Sequence, residues 1–347
     1  MIMRSLGASG ILLPEIGLGT WNWGREVSLE EARACLHVYL DAGGSLLDTA
    51  ASYSAGASEE FIGSLVRKGL RDRLVIATKA GVDPRTKELD VSRRAMLHAL
   101  DASLRRLGTG HVDLWQVHAW SDAVGLDETL SALETAVATG RARHVGLCNY
   151  PGEQVTRAWT WQREHAAVPL VSVQAEYSLL RRGIEQDTLP AAARAGMGLL
   201  AWSPLAGGAL TGKYGEDEAA TTGTRADSPH YAGFSEHYLE PPDERRVVEA
   251  VRLVARAMEV PAGAVALAWL RERPGVVSAL VGARNAAQLR DSLTACAVHL
   301  PDELAQALDA VSAAAPEQAG RSGRAGLEDG PHSPGLSGAS RTADEED

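Results

Sequence analysis

The run "SLLDTA" (Ser45–Ala50) carries the pattern that decides the fold, because a short apolar stretch ends there on a carboxylate. A continuous apolar run of this length is typical of a strand that is buried on both faces. Comparable runs recur along the chain with helical patterns between them, namely "EIGLGTW" (Glu15–Trp21), "LVIATKAG" (Leu74–Gly81), "DLWQVHAW" (Asp113–Trp120), "HVGLCNY" (His144–Tyr150), "LVSVQAEY" (Leu170–Tyr177), "GLLAWSP" (Gly198–Pro204) and "VSALVGAR" (Val277–Arg284). Eight strands that alternate with helices predict a closed (β/α)8 barrel with a parallel sheet.

The helical segments between these runs have recognisable ends. Ser28 and Glu31 form a capping-box pattern, and Ser92 can cap a later helix. Gly108 and Gly140 are placed to end two helices. These signals favour one barrel domain over residues 1–314 rather than two domains.

The two ends of the chain depart from the repeating pattern. The leader "RSLGASGILLPE" (Arg4–Glu15) predicts a β-hairpin that turns at Ser9-Gly10 and closes the bottom of the barrel. Residues 315–347 are rich in Gly, Ser, Pro and charge, so we expect a disordered C-terminal tail.

The interval from Pro204 to Val277 is longer than the other connections. It begins with a Gly-rich, irregular stretch that extends to about Pro241, and helices are predicted near Asp243–Met258 and Ala262–Arg273. A long loop after the seventh strand of a compact domain is usually functional.

Composition narrows the classes of function. The chain has 347 residues and a formal charge of −11, which argues against nonspecific binding to nucleic acid or to an anionic membrane. Cys35, Cys148 and Cys296 are widely spaced, so they predict neither a disulfide framework nor a metal site. The first residues show no sustained apolar run of a signal peptide, and we expect a cytoplasmic protein.

Four side chains are predicted at the carboxyl ends of three successive strands. Asp48 comes from the second strand and Tyr53 lies just after it, while Lys79 comes from the third strand and His118 from the fourth. Reactive groups of such barrels gather at the carboxyl ends of the strands, so we expect these four to meet. An ammonium beside a phenol favours the phenolate and is expected to lower the phenol's pKa, while a carboxylate holds the ammonium in place. A histidine can orient a substrate oxygen, so the set suits protonation of a carbonyl that receives hydride.

At this point the sequence resembles the aldo-keto reductases, from about Arg4 to Val298. The motifs that carry the resemblance are "GLGTW", "LLDTAASYS", "ATK", "QVHAW", "GLCNY", "QAEYSLL", "LAWSPLAGGALTGKY" and "VGARNAAQL". The resemblance implies an NADPH-dependent oxidoreductase that reduces an aldehyde or ketone. It implies Tyr53 as the proton donor, Lys79 and Asp48 as the pair that tunes it, and His118 as the residue that orients the substrate.

The same resemblance implies a nicotinamide cofactor held by loops, since no G-x-G-x-x-G follows the first strand. The residues expected to bind it are Gly19, Thr20, Trp21, Asp48, Cys148, Asn149, Gln174, Trp202, Ser203, Leu205, Gly207, Lys213, Arg225, Gly282, Arg284 and Gln288. Arg284 and the following helix start could bind a 2′-phosphate, which favours NADPH over NADH. Cys148 stands where the family often has serine, and Ser292 stands where an asparagine is common.

Other functions stay open at this stage. Trp21, Trp23 and Trp120 are expected to form walls of the substrate pocket, but they name no substrate. Lys79 could instead be the Schiff-base nucleophile of an aldolase. A nicotinamide-binding regulatory or sensor protein on the same fold is the third alternative, and homo-oligomerisation is not decided by the sequence.

Overall fold

The computed structural model describes residues 1–66, 69–213, 238 and 242–313, and the fold is given for these residues. Eight parallel strands form a closed barrel in the order β10-β3-β4-β5-β6-β7-β8-β9. These strands are β3 (Ile16–Gly19), β4 (Leu46–Asp48), β5 (Val75–Ala80), β6 (Val112–Val117), β7 (Ala142–Cys148), β8 (Leu170–Glu176), β9 (Gly198–Trp202) and β10 (Val276–Val281). The predicted (β/α)8 barrel is therefore confirmed, and all eight predicted runs supply a barrel strand.

An antiparallel hairpin precedes the barrel and closes its lower end. It consists of β1 (Met3–Ser5) and β2 (Leu12–Pro14), and the amide of Leu6 donates to the carbonyl of Ile11 across the turn. Leu6 and Leu13 are fully buried and belong to the cluster of apolar side chains contributed by the barrel strands. The predicted hairpin is confirmed, and burial of its leucines removes apolar surface from water at the end opposite the site.

Helices surround the barrel on its outer face. They are α1 (Leu29–Asp41), α2 (Ala57–Leu65), α3 (Arg93–Leu107), α4 (Leu126–Ala138), α5 (Gly152–Glu164), α6 (Thr188–Arg194), α7 (Pro242–Met258), α8 (Ala262–Arg271), α9 (Ala286–Leu293) and α10 (Asp302–Val311). The predicted capping box is formed, since the Ser28 Oγ accepts from the amide of Glu31 and the Glu31 carboxylate accepts from the amide of Ser28. Ser92 caps α3 and the left-handed Gly108 ends it, as predicted.

The long connection after β9 is described only in part. A 3₁₀ helix at Ala206–Thr211 follows the strand, and α7 and α8 complete the connection. The predicted irregular stretch between residues 214 and 241, Tyr238 apart, and the predicted tail at 315–347 lie outside the described residues. Within the described ranges, no one helix has the length and apolar content to cross a membrane, and only α7 and α8 together, bent by 101°, meet that test.

Candidate active site

The barrel brings the four predicted residues together at the carboxyl ends of its strands. Asp48 is the last residue of β4, Lys79 is next to the last of β5, and His118 directly follows β6. Tyr53 begins a short 3₁₀ helix after β4. Adjacent parallel strands end at one edge, so their terminal side chains share a small volume.

Lys79 is the buried centre of this group. Its side chain is fully buried, and its Nζ donates to Asp48 Oδ2 at 2.8 Å, to the Thr49 carbonyl at 2.9 Å and to the Tyr53 hydroxyl at 3.1 Å. Burial alone would lower the pKa of Lys79, but the negative charge of Asp48 and the interaction with Tyr53 outweigh burial, and the pKa is raised. Lys79 is therefore a fully hydrogen-bonded ammonium at neutral pH.

The pKa of Tyr53 differs from the expectation drawn from the sequence. Burial raises it to about 12, and the nearby Lys79 ammonium only partly opposes that increase. Lys79 lowers the pKa of Tyr53 as expected, but the net shift is upward, because burial raises this pKa by more than Lys79 lowers it. Tyr53 stays a neutral phenol, and because Lys79 donates to its oxygen, the phenol's own proton can point toward the cavity.

The turn that positions Tyr53 is strained. Ser54 and Ala55, which follow it, have φ values of 48° and 55°, in the left-handed region. Residues with a Cβ are uncommon in this region, and such strain clusters at functional sites where surrounding contacts hold it. The turn therefore places the phenol over Lys79 at a conformational cost.

His118 lies beside the phenol and is neutral. Its ring meets that of Tyr53 edge to face with centroids 6.0 Å apart, and Ser52 Oγ is 3.5 Å from its Nδ1. Burial, together with the positive charges of Lys79 and Lys87, lowers the pKa of His118 to about 3. A neutral imidazole can donate one hydrogen bond to an oxygen in the cavity without being a strong acid.

The two amides expected to hold the cofactor ring are both engaged with protein groups. Gln174 Nε2 donates to Asp48 Oδ1 at 2.9 Å, and its Oε1 is 3.8 Å from Cys148 Sγ. Asn149 Nδ2 donates to the His118 carbonyl at 3.2 Å, and its Oδ1 accepts from Trp202 Nε1 at 2.9 Å. Gln174 therefore gives the Asp48 carboxylate a second side-chain donor besides Lys79. Asn149 links Trp202 to the backbone of His118, which follows β6.

A cavity of about 800 Å³ opens above the tyrosine and is large enough for a cofactor and a small substrate. Most of the predicted site residues line it: Gly19, Thr20, Trp21, Asp48, Tyr53, His118, Cys148, Asn149, Gln174, Trp202, Ser203, Leu205, Gly207, Lys213, Gly282, Arg284 and Gln288. Lys79 lies beneath this lining. Thr20 has a structural contact as well, because its Oγ1 donates to the Asp48 carbonyl at 3.0 Å.

One end of the cavity carries a positively charged side chain at a helix start. Asn285 Oδ1 accepts from the amide of Gln288 and so caps α9, while Gln288 Oε1 accepts from the amide of Arg284. Arg284 Nη2 is buried and has no hydrogen-bond partner within the described structure. A buried guanidinium nitrogen without an acceptor is costly, so this corner is built for an anionic or strongly polar ligand.

Two of the predicted residues are not among the described residues of the cavity wall, and the position of a third is not described. Trp23, predicted as a pocket wall, is fully buried in the main apolar core, because the turn closed by its amide on the Thr20 carbonyl directs the ring inward. Trp120 packs edge to face on Tyr150 with centroids 5.3 Å apart and also lies outside the lining. Arg225 falls outside the described residues.

Several lining residues were not predicted from the sequence. Ser52 contacts His118, and Arg25, Arg85 and Lys87 line the cavity from two loops. Ser52 could have been noticed because it precedes the key tyrosine, whereas the basic residues occupy polar loop sequences that resemble any solvated turn.

The fold and the site together define a (β/α)8-barrel protein with a hydrogen-bonded Asp–Lys–Tyr group at the carboxyl ends of its strands. The model of the Aldo/keto reductase family matches residues 15–313. The L-glyceraldehyde 3-phosphate reductase of Escherichia coli (strain K12) is 36% identical over 315 residues, or 85% of this chain and 87% of that protein.

Two further relatives have different names. The uncharacterized oxidoreductase YrpG of Bacillus subtilis is 32% identical over 317 residues, or 88% of this chain and 94% of that protein. A probable voltage-gated potassium channel subunit beta of Oryza sativa subsp. japonica is 30% identical over 327 residues, or 92% and 98%. The chain belongs to the Aldo/keto reductase family, and its relatives support a general oxidoreductase role.

Proposed function

We propose that this protein is an NADPH-dependent reductase of aldehydes or ketones, with Tyr53 as the proton donor. The observation that carries the proposal is the 3.1 Å hydrogen bond from Lys79 Nζ to the Tyr53 hydroxyl beside a cavity of about 800 Å³. This geometry offers a neutral O–H group to an oxygen placed above it. The named activity of the 36% identical relative, reduction of an aldehyde, is the same class of chemistry.

The chemistry of the donors fits a phosphorylated nicotinamide cofactor. Arg284, with its unpartnered buried nitrogen, and the capped start of α9 suit a phosphate. Gly207 and Gly208 have positive φ values and line the cavity after Ser203, and the lack of a Cβ at both positions lets a pyrophosphate approach this turn. Trp202 offers an aromatic face in the same cavity. NADPH, when bound, supplies the hydride.

The chain's own residues then manage the oxygen and its proton. Tyr53 and neutral His118 can both donate hydrogen bonds to the carbonyl oxygen, which polarises the carbonyl group and fixes its direction. An alkoxide is a far stronger base than a phenolate, so proton transfer from Tyr53 is favourable even with its pKa near 12. Lys79 stabilises the phenolate that remains after the transfer.

The same geometry argues against the aldolase alternative. A Schiff-base lysine must be a neutral amine with a path to the substrate. Lys79 is fully buried, and all three of its protons are directed to Asp48, Thr49 and Tyr53. Since its pKa is raised as well, the ammonium is held in the form that cannot attack a carbonyl.

A nicotinamide-binding regulatory protein is the second candidate, because the rice relative is named as a probable potassium channel subunit. The deciding experiment mixes the purified full chain and NADPH with a panel of aldehydes and ketones and follows NADPH absorbance. Steady oxidation that depends on a carbonyl compound supports the reductase. Tight NADPH binding without oxidation by any member of the panel contradicts it and favours the regulatory candidate.

The preference for the phosphorylated cofactor has a separate test. Arg284→Ala removes the proposed charge-assisted hydrogen bond between the guanidinium and the 2′-phosphate. This loss corresponds to about tenfold to a hundredfold weaker NADPH binding. The NADH dissociation constant should change much less, and both can be measured by fluorescence titration. Arg290→Ala, an exposed arginine at the other end of α9, is the matched control. Equal losses for NADPH and NADH would remove the reason to assign the 2′-phosphate to Arg284.

A further inference from the structure

Three basic side chains surround the cavity on the side of Tyr53 and His118. Arg25 lies in the loop after β3, and Arg85 and Lys87 lie in the loop after β5, so they flank the strand that delivers Tyr53. We refer to Arg25, Arg85 and Lys87 as the cationic rim. None of the three contacts Asp48, Lys79 or Tyr53 through a side-chain hydrogen bond among the described residues.

Lys87 is fixed close to the reacting groups. Its Nζ donates to the Ser52 carbonyl at 2.8 Å and to the Pro84 carbonyl at 2.9 Å. Ser52 directly precedes Tyr53 and contacts His118, so the ammonium lies beside the turn that carries Tyr53. An ammonium has three protons, and these two carbonyls leave one for another acceptor.

The loop that carries Arg85 and Lys87 is rigid. Asp83 Oδ1 accepts from the amides of Arg85 and Thr86, each at 2.8 Å, and Val82 pairs with Leu89 at the base of the loop. Lys87 has a φ of 64°, a left-handed conformation that is strained for a residue with a long side chain. Lys87 is solvent-exposed, but its two hydrogen bonds hold its ammonium at the edge of the cavity.

The side chains that line the cavity carry more positive than negative charges. Partial burial and the Arg25 guanidinium lower the pKa of Lys87, and Asp83 opposes this effect. Asp83, Glu88 and Asp90 are the acidic residues of the same loop, where they accept hydrogen bonds from loop amides and from the Thr86 hydroxyl, and none of the three lines the cavity. The other charged lining residues are Asp48, which is paired with Lys79, and Asp291, Lys213 and Arg284. In a chain with a net charge of −11, this cavity is a positive region that can attract anions.

We propose that the cationic rim binds the anionic end of the substrate, so that the preferred substrate is a small aldehyde that carries a phosphate or carboxylate group. This inference rests on the proposed reductase function and names the substrate class for it. The aldehyde oxygen lies at Tyr53 and His118, while the anionic group accepts from the third proton of Lys87 and from Arg85. The rim belongs to the loops after β3 and β5, whereas Arg284 and Lys213 follow β10 and β9.

The test compares matched substrates with and without the charge. The full chain is assayed with NADPH and with glyceraldehyde 3-phosphate, succinic semialdehyde and uncharged glyceraldehyde. We expect kcat/KM to be at least about tenfold higher for an anionic aldehyde than for glyceraldehyde, mainly through KM. The two anionic compounds distinguish a phosphate site from a carboxylate site.

Two variants assign the discrimination to the rim. Lys87→Gln should reduce the ratio of kcat/KM between the better anionic aldehyde and glyceraldehyde by about tenfold, and Arg85→Gln by a smaller factor. Arg85 has no contact with Ser52, so its variant reports on charge without disturbing the Tyr53 turn. Arg105→Gln, an exposed arginine of α3, is the matched control and should keep the ratio. Equal losses for charged and uncharged aldehydes, or an unchanged ratio in both variants, overturn the proposal.

A binding measurement separates this inference from the proposed function. Titration calorimetry on the NADP⁺-loaded protein compares glycerol 3-phosphate with glycerol, which requires no turnover. Binding of glycerol 3-phosphate that Lys87→Gln weakens supports the rim even if no aldehyde is reduced. Reduction of uncharged aldehydes with no preference for anionic ones, and no glycerol 3-phosphate binding, overturns the rim while leaving the reductase intact.

Discussion

Asp48 and Lys79 form a buried ion pair, and its removal should change the free energy of unfolding in a measurable way. The side chains are 4% and 0% exposed, and their charged atoms are 2.8 Å apart. With an effective dielectric constant of about 20, this distance corresponds to an attraction of about 6 kcal/mol, most of which offsets the desolvation of the two ions. Neither residue can therefore be neutralised alone without leaving its partner buried and unpaired.

The perturbation is a double-mutant cycle with Asp48→Asn, Lys79→Met and the double variant. Each single substitution should lower the free energy of unfolding by about 3–5 kcal/mol, because one buried charge remains. The double variant leaves no unpaired charge. Its loss of unfolding free energy should therefore be smaller than the sum of the two single losses, by about 2 kcal/mol or more. Guanidinium chloride denaturation at pH 7, without cofactor and followed by tryptophan fluorescence, gives all four values.

The control cycle uses Asp243 and Arg246, an exposed pair of α7 with side chains 85% and 76% exposed. Exposed pairs contribute little, so no coupling should be detectable there. Strictly additive effects of Asp48→Asn and Lys79→Met would refute the reasoning. That result would mean that the two charges are solvated independently instead of sharing one buried site.

Three further predictions concern groups around the site and the barrel. In His118→Asn, the free energy of unfolding should fall less steeply on acidification than in the wild type. Burial and the two lysines lower the folded-state pKa of His118 to about 3, so between about pH 6.5 and pH 3 only the unfolded wild type binds this proton. Wild-type stability is therefore lost as the pH falls, by at most about 1.4 kcal/mol per pH unit. Urea denaturation at pH 7 and pH 5.5 measures this, and equal losses in both proteins would contradict it. Gly44→Ala should lower the free energy of unfolding by about 1–3 kcal/mol, because a Cβ there would lie 2.3 Å from the ring of the buried Tyr39. Gly10→Ala is the control, since a Cβ at Gly10 meets nothing within 4 Å. Equal shifts in melting temperature for the two variants would oppose this account. Cys148 should resist iodoacetamide at pH 8 in the folded protein and react in denaturant, because burial raises the pKa of its thiol to about 12. Rapid labelling of Cys148 in the native protein would contradict this prediction, because it would show that the thiol is accessible to solvent.

The fold was predictable from the sequence because the barrel repeats one local rule. Each parallel strand is buried on both faces, so runs such as Leu46–Asp48 and Val75–Ala80 appear as continuous apolar stretches between amphipathic helices. The same rule brings together Asp48, Tyr53, Lys79 and His118, since each lies at or just after the carboxyl end of a strand. Residues 315–347 and Arg225 lie outside the described residues, and the predictions made for them stay predictions.

What the sequence could not show depends on three-dimensional packing. Trp23 follows the first strand as Trp21 does, but a tight turn directs Trp23 into the core and leaves Trp21 at the cavity. The pKa of Tyr53 depends on the balance between burial and one charge, and burial is invisible in the linear chain. Lys87 likewise lines the cavity with its backbone in a left-handed conformation, which could not be predicted from its sequence.

The proton-donor role of Tyr53 is tested most directly by Tyr53→Phe, which removes one oxygen atom and keeps the ring beside His118. With the best substrate from the carbonyl panel, kcat should fall about 10²- to 10⁴-fold, since a positioned general acid contributes that much. The NADPH dissociation constant should stay within about twofold, because the hydroxyl accepts from Lys79 and its proposed partner is the substrate, not the cofactor. An unchanged kcat in Tyr53→Phe, with the same NADPH affinity, would contradict the account.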